Sequence, residues 1–308
     1  MKKLMTVVAA SICAVSFTGF AEEQQELEEK TDKIFEAGVD LDFFSAYVWR
    51  NAVQNDEPVF QPCVWLDIMP FERFGLGFYV WQNYDWTPRR RQAFKSGFNE
   101  TDYDIHLNAI AWKDEENSMT LSFQLGYVWY VNQWVRTDYS EDYADTSELY
   151  LKATFENEFV NVYGLAAWMT GDYGAYKQGM HYEIGLNKEF DLAEVVDIPE
   201  ETLSLGFDWN VNFGDGRYLY YLSGGVDYVG DDEEDLSWSN PDAGIGGTTI
   251  KAYLTWSITE WMSLVGTIGY TGVLNGSARQ ELADTTAWQG DTYRRDLLWG
   301  GFSLKFSF

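Results

Sequence analysis

Residues 297–308 read Leu-Leu-Trp-Gly-Gly-Phe-Ser-Leu-Lys-Phe-Ser-Phe. From Leu298 onward every second position (Gly300, Phe302, Leu304, Phe306, Phe308) is apolar or Gly, with Ser303, Lys305 and Ser307 between. This period of two belongs to a β-strand with one greasy face and one polar face. A greasy face that runs onto a final Phe needs a sheet partner or lipid to cover it.

The same pattern recurs along the chain. Alternating segments occupy 39–50, 59–69, 73–81, 103–112, 119–131, 148–155, 160–170, 180–189, 203–213, 249–258 and 262–271, with the final strand making twelve. The segment 119–131 is the cleanest, with Met119, Leu121, Phe123, Leu125, Tyr127, Trp129 and Val131 on one face. In 203–213, Ser204, Gly206, Asp208, Asn210 and Asn212 share the polar face. Each segment is near the roughly 9–11 residues that a tilted strand needs to cross a bilayer. After Ala21 no run of apolar residues is long enough for a spanning helix, and the one other structure that satisfies its backbone inside lipid is a closed barrel.

Connection lengths alternate as well. Those at 70–72, 113–118, 156–159 and 259–261 are short. Those at 51–58, 85–100, 132–146, 171–178, 214–247 and 272–294 are mostly long and rich in Asp, Gly, Asn and Tyr. Short periplasmic turns against long outer loops, with an even strand count, predict an all-β fold: a transmembrane antiparallel up-and-down barrel of about twelve strands. The stretch Asp191–Thr202 is long for its side and has room for a helical turn. Tyr218–Val229 reads as strand, but a thirteenth span would break the even count, so it is assigned to an extracellular hairpin within 214–247. Pro62 removes a ladder hydrogen bond inside the second segment, which predicts a bulge there or a strand that starts later. A secreted β-sandwich would share the alternation but not the loop asymmetry or so many outward aromatics.

The expected domain plan is a cleaved leader at 1–21, an acidic periplasmic lead-in at 22–35 and the barrel at 36–308. The basic start Met1-Lys2-Lys3, the apolar run to Phe20 and the small-x-small site Gly19-Phe20-Ala21 fit a secretory signal peptide. Its removal leaves 19 bases against 49 acids, a net charge of −30. Nucleic acid is excluded as a partner, because phosphates require a basic face. The aromatic content of 18% suits a barrel with Trp and Tyr at both membrane interfaces. Only Cys63 survives leader removal, so the mature chain forms no internal disulfide.

Alternation also names the residues that face inward. The candidates for lining the lumen are Asp40, Asp42, Asp67, Asp104, His106, Gln124, Glu148, Lys152, His181, Glu183, Asp208, Asn210, Lys251 and Lys305, with Asn108, Asn161, Asn187, Asn212 and Arg50 beside them. Acids outnumber bases, and carboxylate-lined paths favour cations. The competing reading is an interior filled by hydrogen-bonded side chains, since a barrel of this size is narrow. His106 and His181 are the chain's two histidines. Catalysis would need one of them beside a Ser and an orienting acid, and a metal site would need ligand spacing; the sequence offers neither signal. No catalytic, metal or cofactor site is expected. The acidic runs at 139–145 and 230–235 read as solvated loops that could meet divalent cations bridging lipopolysaccharide, and Arg89-Arg90-Arg91 reads as a solvated basic loop.

Two stretches carry a resemblance. Ser45-Ala46-Tyr47-Val48-Trp49-Arg50-Asn51, followed by Glu57–Pro62 and Gly75–Gln82, resembles the opening of a group of conserved-hypothetical outer-membrane barrels that begin Ser-x-Tyr-x-(Phe/Trp)-Arg-Gly. Barrels like the MltA-interacting protein are similar. Asn51 stands where that group has Gly. The resemblance implies a barrel of about a dozen strands and supplies no activity or catalytic residue. The terminal Phe306 and Phe308 likewise look like the signal by which the assembly machinery recognises such barrels. The expectation is therefore a bacterial outer-membrane barrel in contact with lipid and lipopolysaccharide, acting as a passive channel for small solutes with cation preference. The alternatives are a non-conducting barrel that docks a partner and, more remotely, a lipid-active enzyme.

Overall fold

The computed structural model describes residues 34–86, 100–132, 146–170, 179–196, 198–199, 202–215, 243–276 and 296–308. The chain divides into residues 1–34 and a unit spanning Phe35–Phe308. The leader and nearly all of the acidic lead-in lie outside the described residues, as do the runs at 89–91, 139–145 and 230–235 and the segment Tyr218–Val229.

The alternating segments form strands β1 Phe35–Phe44, β2 Tyr47–Trp49, β3 Ala52–Asn55, β4 Val59–Phe71, β5 Phe74–Asp85, β6 Glu100–Asp114 and β7 Met119–Asn132. They continue as β8 Thr146–Glu156, β9 Asn161–Met169, β10 Met180–Asp191, β11 Leu203–Gly214, β12 Gly244–Thr259, β13 Met262–Val273 and β14 Asp296–Ser307. Among the described residues, β1 and β4 to β14 make a closed antiparallel barrel, each strand paired with its sequence neighbour and β14 closing on β1. At that seam Asp40 faces Lys305 and Phe43 faces Phe302. Beyond it the terminal Phe308 donates its N–H to Ala37 at 2.8 Å. The connection after β10 carries a one-turn helix, α1, Ala193–Val196.

The outward face is apolar. Ile105, Leu107, Leu125, Leu151, Ile184, Phe207, Ile250, Leu254 and Ile268 are all exposed and form a belt around the middle. Toward the short turns it is bordered by Phe71, Phe74, Trp112, Phe190, Trp256 and Trp261, and toward the long connections by Tyr84, Trp129, Trp168, Tyr182, Trp209 and Tyr270, again all exposed. An apolar band between two aromatic girdles is the surface of a barrel immersed in lipid. The end with short connections is called the turn end below, and the opposite end the loop end. At the turn end Asp114 accepts hydrogen bonds from the Asn117 side chain (2.8 Å) and from the backbone N–H groups of Asn117 and Glu116, which hold its carboxyl below the usual Asp range.

Four expectations need correction. The first segment is not one strand to Arg50: β1 ends at Phe44, and β2 and β3 pair only with each other as a separate two-stranded sheet. The expected outer loop 51–58 is thus largely the second half of a hairpin. Pro62 causes neither bulge nor late start: β4 begins at Val59, and pairing with β5 lapses between Phe60↔Tyr84 and Cys63↔Trp81 without a change of register. The pairs 61↔83 and 62↔82 are lost, and Gln61 donates its side-chain amide to Asn83 at 2.9 Å. Finally, the loop placed at 214–247 is shorter, because β12 starts at Gly244.

Candidate functional site

Strand alternation turns the polar side chains of adjacent strands toward one interior, where cross-strand neighbours meet. The turn-end half holds Asp40 with Lys305 at 3.6 Å and Asp208 with Lys251 at 3.5 Å. Gln124 donates to Asn108 at 3.3 Å and Asn161 to Asn187 at 3.0 Å. Higher up, Tyr163 donates its hydroxyl to Glu183 at 2.7 Å, Asn210 donates to Tyr163 at 3.4 Å, and the Lys152 ammonium lies 5.0 Å from the Tyr163 ring centre. His106 sits between two acids, with Nδ1 2.6 Å from Asp104 and Nε2 3.6 Å from Asp67. His181 Nε2 is 3.7 Å from Glu183. Asp42 is opposite Ser303 at the β1–β14 seam. All fourteen lumen candidates therefore lie on the interior side of the wall. Among the described residues, no cluster of His, Cys, Asp or Glu has the geometry of a metal centre.

Glycines shape this interior. Gly77, Gly126, Gly185 and Gly206 stand directly opposite His106, Tyr150, Tyr163 and Tyr253 on the neighbouring strands. A Cβ at those glycines would fall 2.0–2.3 Å from ring atoms, so each ring lies flat over its glycine instead of reaching across the lumen. Aromatic cover of an opposing glycine steadies the sheet and keeps the centre free of bulk.

The loop-end half is built differently. Its centre holds the β2–β3 hairpin, whose tip Arg50-Asn51 has φ of 47° and 65°. Two consecutive left-handed residues make the turn that matches strand twist, and Asn and Gly are the residues that adopt it most readily. The hairpin reaches wall strands on several sides. Tyr47 donates to Glu100 of β6 at 2.8 Å and packs 5.3 Å from the Trp81 ring of β5. Trp49 meets Tyr130 of β7 edge-on at 5.7 Å and covers a small apolar cluster of Val128, Tyr130, Tyr150 and Ala167. Arg50 forms an ion pair with Glu148 of β8. On the other side Asn212 of β11 donates to the Arg50 carbonyl, and Asn51 donates to the Gly247 carbonyl of β12 at 3.3 Å. Gly247 is required there: its Cβ would sit 2.9 Å from the Gly272 carbonyl and 3.0 Å from the Asn51 Cβ. At the hairpin base Ser45 and Gly300 of β14 exchange two hydrogen bonds, of 2.9 and 3.1 Å.

The sequence reading named Arg50, Glu148 and Asn212 as inward-facing but not as one assembly. Tyr47 and Trp49, which alternation sets on the apolar face of the first segment with Val39, Leu41 and Phe43, instead meet Glu100 and Tyr130, and Glu100, Asp102 and Gly247 carry no signal in the sequence. The available signal was the stretch Ser45–Ala52 itself, whose Ala46 and Ala52 (both 3% exposed) are too small to face lipid usefully.

No family model matches this chain, and no curated protein matches it. Solved structures do. Over 89% of this chain and 94% of its own, an outer membrane channel from Pseudomonas putida F1 aligns at 9% identity with a TM-score of 0.49. Outer membrane phospholipase A from Escherichia coli aligns at 11% identity over 87% of this chain and 92% of its own, TM-score 0.45. The KdgM porin, in complex with disordered oligogalacturonate, aligns at 9% identity over 88% and 99%, TM-score 0.41.

Proposed function

We propose that the chain is a bacterial outer-membrane channel for small solutes with a preference for cations, narrowed at its loop end by the β2–β3 hairpin. The observation that carries this reading is the wetness of the turn-end interior. Side chains of Lys305, Lys251, Asp67, Asp40 and Asp208 keep 46%, 33%, 25%, 21% and 20% of their surface accessible although they point inside the wall. A barrel that served only as a scaffold gains nothing from hydrated interior charges, because burying charge is costly and apolar filling is not. Seven acids among the lumen candidates face four bases, Arg50 included, which favours cations. The setting that suits the girdled exterior is outer-membrane lipid and lipopolysaccharide, with divalent cations at the acidic loops and Phe306 and Phe308 as the assembly signal.

Planar-bilayer recording of the refolded protein under a salt gradient tests this. Steady conductance with a cation-selective reversal potential, weakened in Asp208→Asn and Glu183→Gln, is the expected result. A folded barrel that never conducts would favour the second reading, a non-conducting barrel, for which the many anchors of the hairpin speak. For a lipid-active enzyme the placement of His106 and His181 is unfavourable: they are 3% and 0% exposed on the interior side, away from the lipid-facing surface.

A further inference from the structure

Asp67 of β4 and His106 of β6 both stand opposite Gly77 of β5, on one rung of the turn-end wall. Strands two apart in a sheet are about 9.5 Å from each other, with the middle strand's side chain between them. Gly77 leaves that space open: a Cβ there would fall 2.1 Å from His106 Nε2 and 2.5 Å from Asp67 Oδ1. The two groups meet over the glycine, with Nε2 3.6 Å from Oδ1. That separation is too long for a hydrogen bond, since an imidazolium that donates to a carboxylate closes to about 2.7–2.9 Å. Both atoms are buried, and neither has a hydrogen-bond partner among the described residues. The other end of each group is held. His106 Nδ1 is 2.6 Å from Asp104, which keeps the proton on Nδ1 and turns the Nε2 lone pair toward Asp67. Tyr79 donates its hydroxyl to Asp67 Oδ2 at 3.2 Å and so presents Oδ1 to the imidazole.

We propose that His106 Nε2 and Asp67 Oδ1 hold a divalent transition cation, of the zinc class, at a transit site on the lumen wall, with Asp104 as a positioning residue. As a step on a path, the site rests on the channel reading above and narrows its solute class. A carboxylate behind an imidazole whose other nitrogen faces an oxygen ligand is the usual setting of a metal-binding histidine. Bonds of about 2.0–2.2 Å at a tetrahedral angle put a nitrogen and an oxygen ligand about 3.4 Å apart, close to the 3.6 Å found here. Imidazole suits transition ions, whereas magnesium and calcium take oxygen ligands. Among the described residues no third His, Cys, Asp or Glu completes a closed centre. Two protein ligands with water at the remaining positions suit an ion that must leave again, because a conducting site has to release what it admits. Asp67 keeps 25% of its side-chain surface accessible, so lumen water reaches the pair.

The test is zinc titration of the refolded full chain in excess magnesium, which occupies the acidic surface. It is read by calorimetry and, in planar bilayers, as a fall in potassium current. Folding is checked in every variant by heat-modifiable migration. The parent is expected to bind one zinc saturably and to lose current as it does. His106→Asn and Asp67→Asn should lose both responses. Asp104→Asn, which retains both ligands, should weaken zinc by about 10–100-fold. Gly77→Ala keeps every polar group but puts a methyl group between the ligands, and should lose zinc as well. Undiminished zinc affinity in folded His106→Asn or Asp67→Asn overturns the inference, as does displacement of zinc by an equal concentration of magnesium. A conducting parent that binds no zinc overturns it too and leaves the channel reading standing. A barrel that holds zinc through these residues but never conducts supports the site and overturns the channel reading, and transit with it.

Discussion

The two ends of this lumen use the same residue types to opposite effect. At the turn end, charges pair across neighbouring strands and stay partly wet: Asp40 and Lys305 keep 21% and 46% of their side-chain surface. At the loop end the pair Arg50–Glu148 keeps 11% and 1%, and Asn212 is fully buried. The first kind of pair is screened by water and holds little together. The second is desolvated, so its integrity matters far more than its existence: removing one member strands the other. Among the described residues the difference follows the β2–β3 hairpin. Where the hairpin enters, wall side chains gain partners and lose water; where it does not, they keep water.

This contrast can be broken most severely at Arg50. In Arg50→Met, Glu148 is left buried without its counterion, which costs the seated hairpin about 3–5 kcal/mol. Hydrogen exchange at the amides of residues 47–55 should rise by orders of magnitude, while exchange in β9 to β11 below the mouth stays as it was. Gly247→Val comes next. Its added methyl groups enter a space already closed by the Gly272 carbonyl and Asn51, at a cost of about 1–3 kcal/mol, read as a lower urea midpoint together with faster exchange at Asn51. At the turn end, Lys305→Met should change stability by about 0–1 kcal/mol. That difference should shrink as salt rises to about 1 M, where the Debye length falls to about 3 Å. The smallest effect belongs to Asp114→Asn in the turn. The depressed carboxyl of Asp114 contributes stability that is present above the ordinary Asp value of about 3.9 and is lost as pH falls through its lower native value. The variant should therefore be slightly weaker than the parent at neutral pH and match it in strong acid, in urea titrations at a series of pH values.

The wall was legible in the sequence because lipid enforces alternation: a residue such as Leu125 or Ile184 has one permitted face, and its neighbours Gln124 and Glu183 take the other. The inward placement of the lumen candidates follows from that rule alone. The hairpin was not legible for the same reason. Val39 to Arg50 keeps its alternation through Tyr47 and Trp49, so it reads as one strand, although beyond Phe44 the covering medium is protein and not lipid. Period two reports that a strand has two different faces; it does not say what covers them. Nor does it reveal that Glu100 meets Tyr47 or that Glu148 meets Arg50, since both contacts depend on where the chain between β1 and β4 folds.

The bonds between Ser45 and Gly300 join residues 255 positions apart. They lie on the same β1–β14 seam that closes the barrel. The hairpin enters the mouth beside the first wall strand, yet its base is fastened to the last. The mouth can therefore be fastened no earlier than the moment the cylinder shuts, and both depend on a single seam: a chain interrupted before β14 would have neither a finished wall nor a fastened mouth.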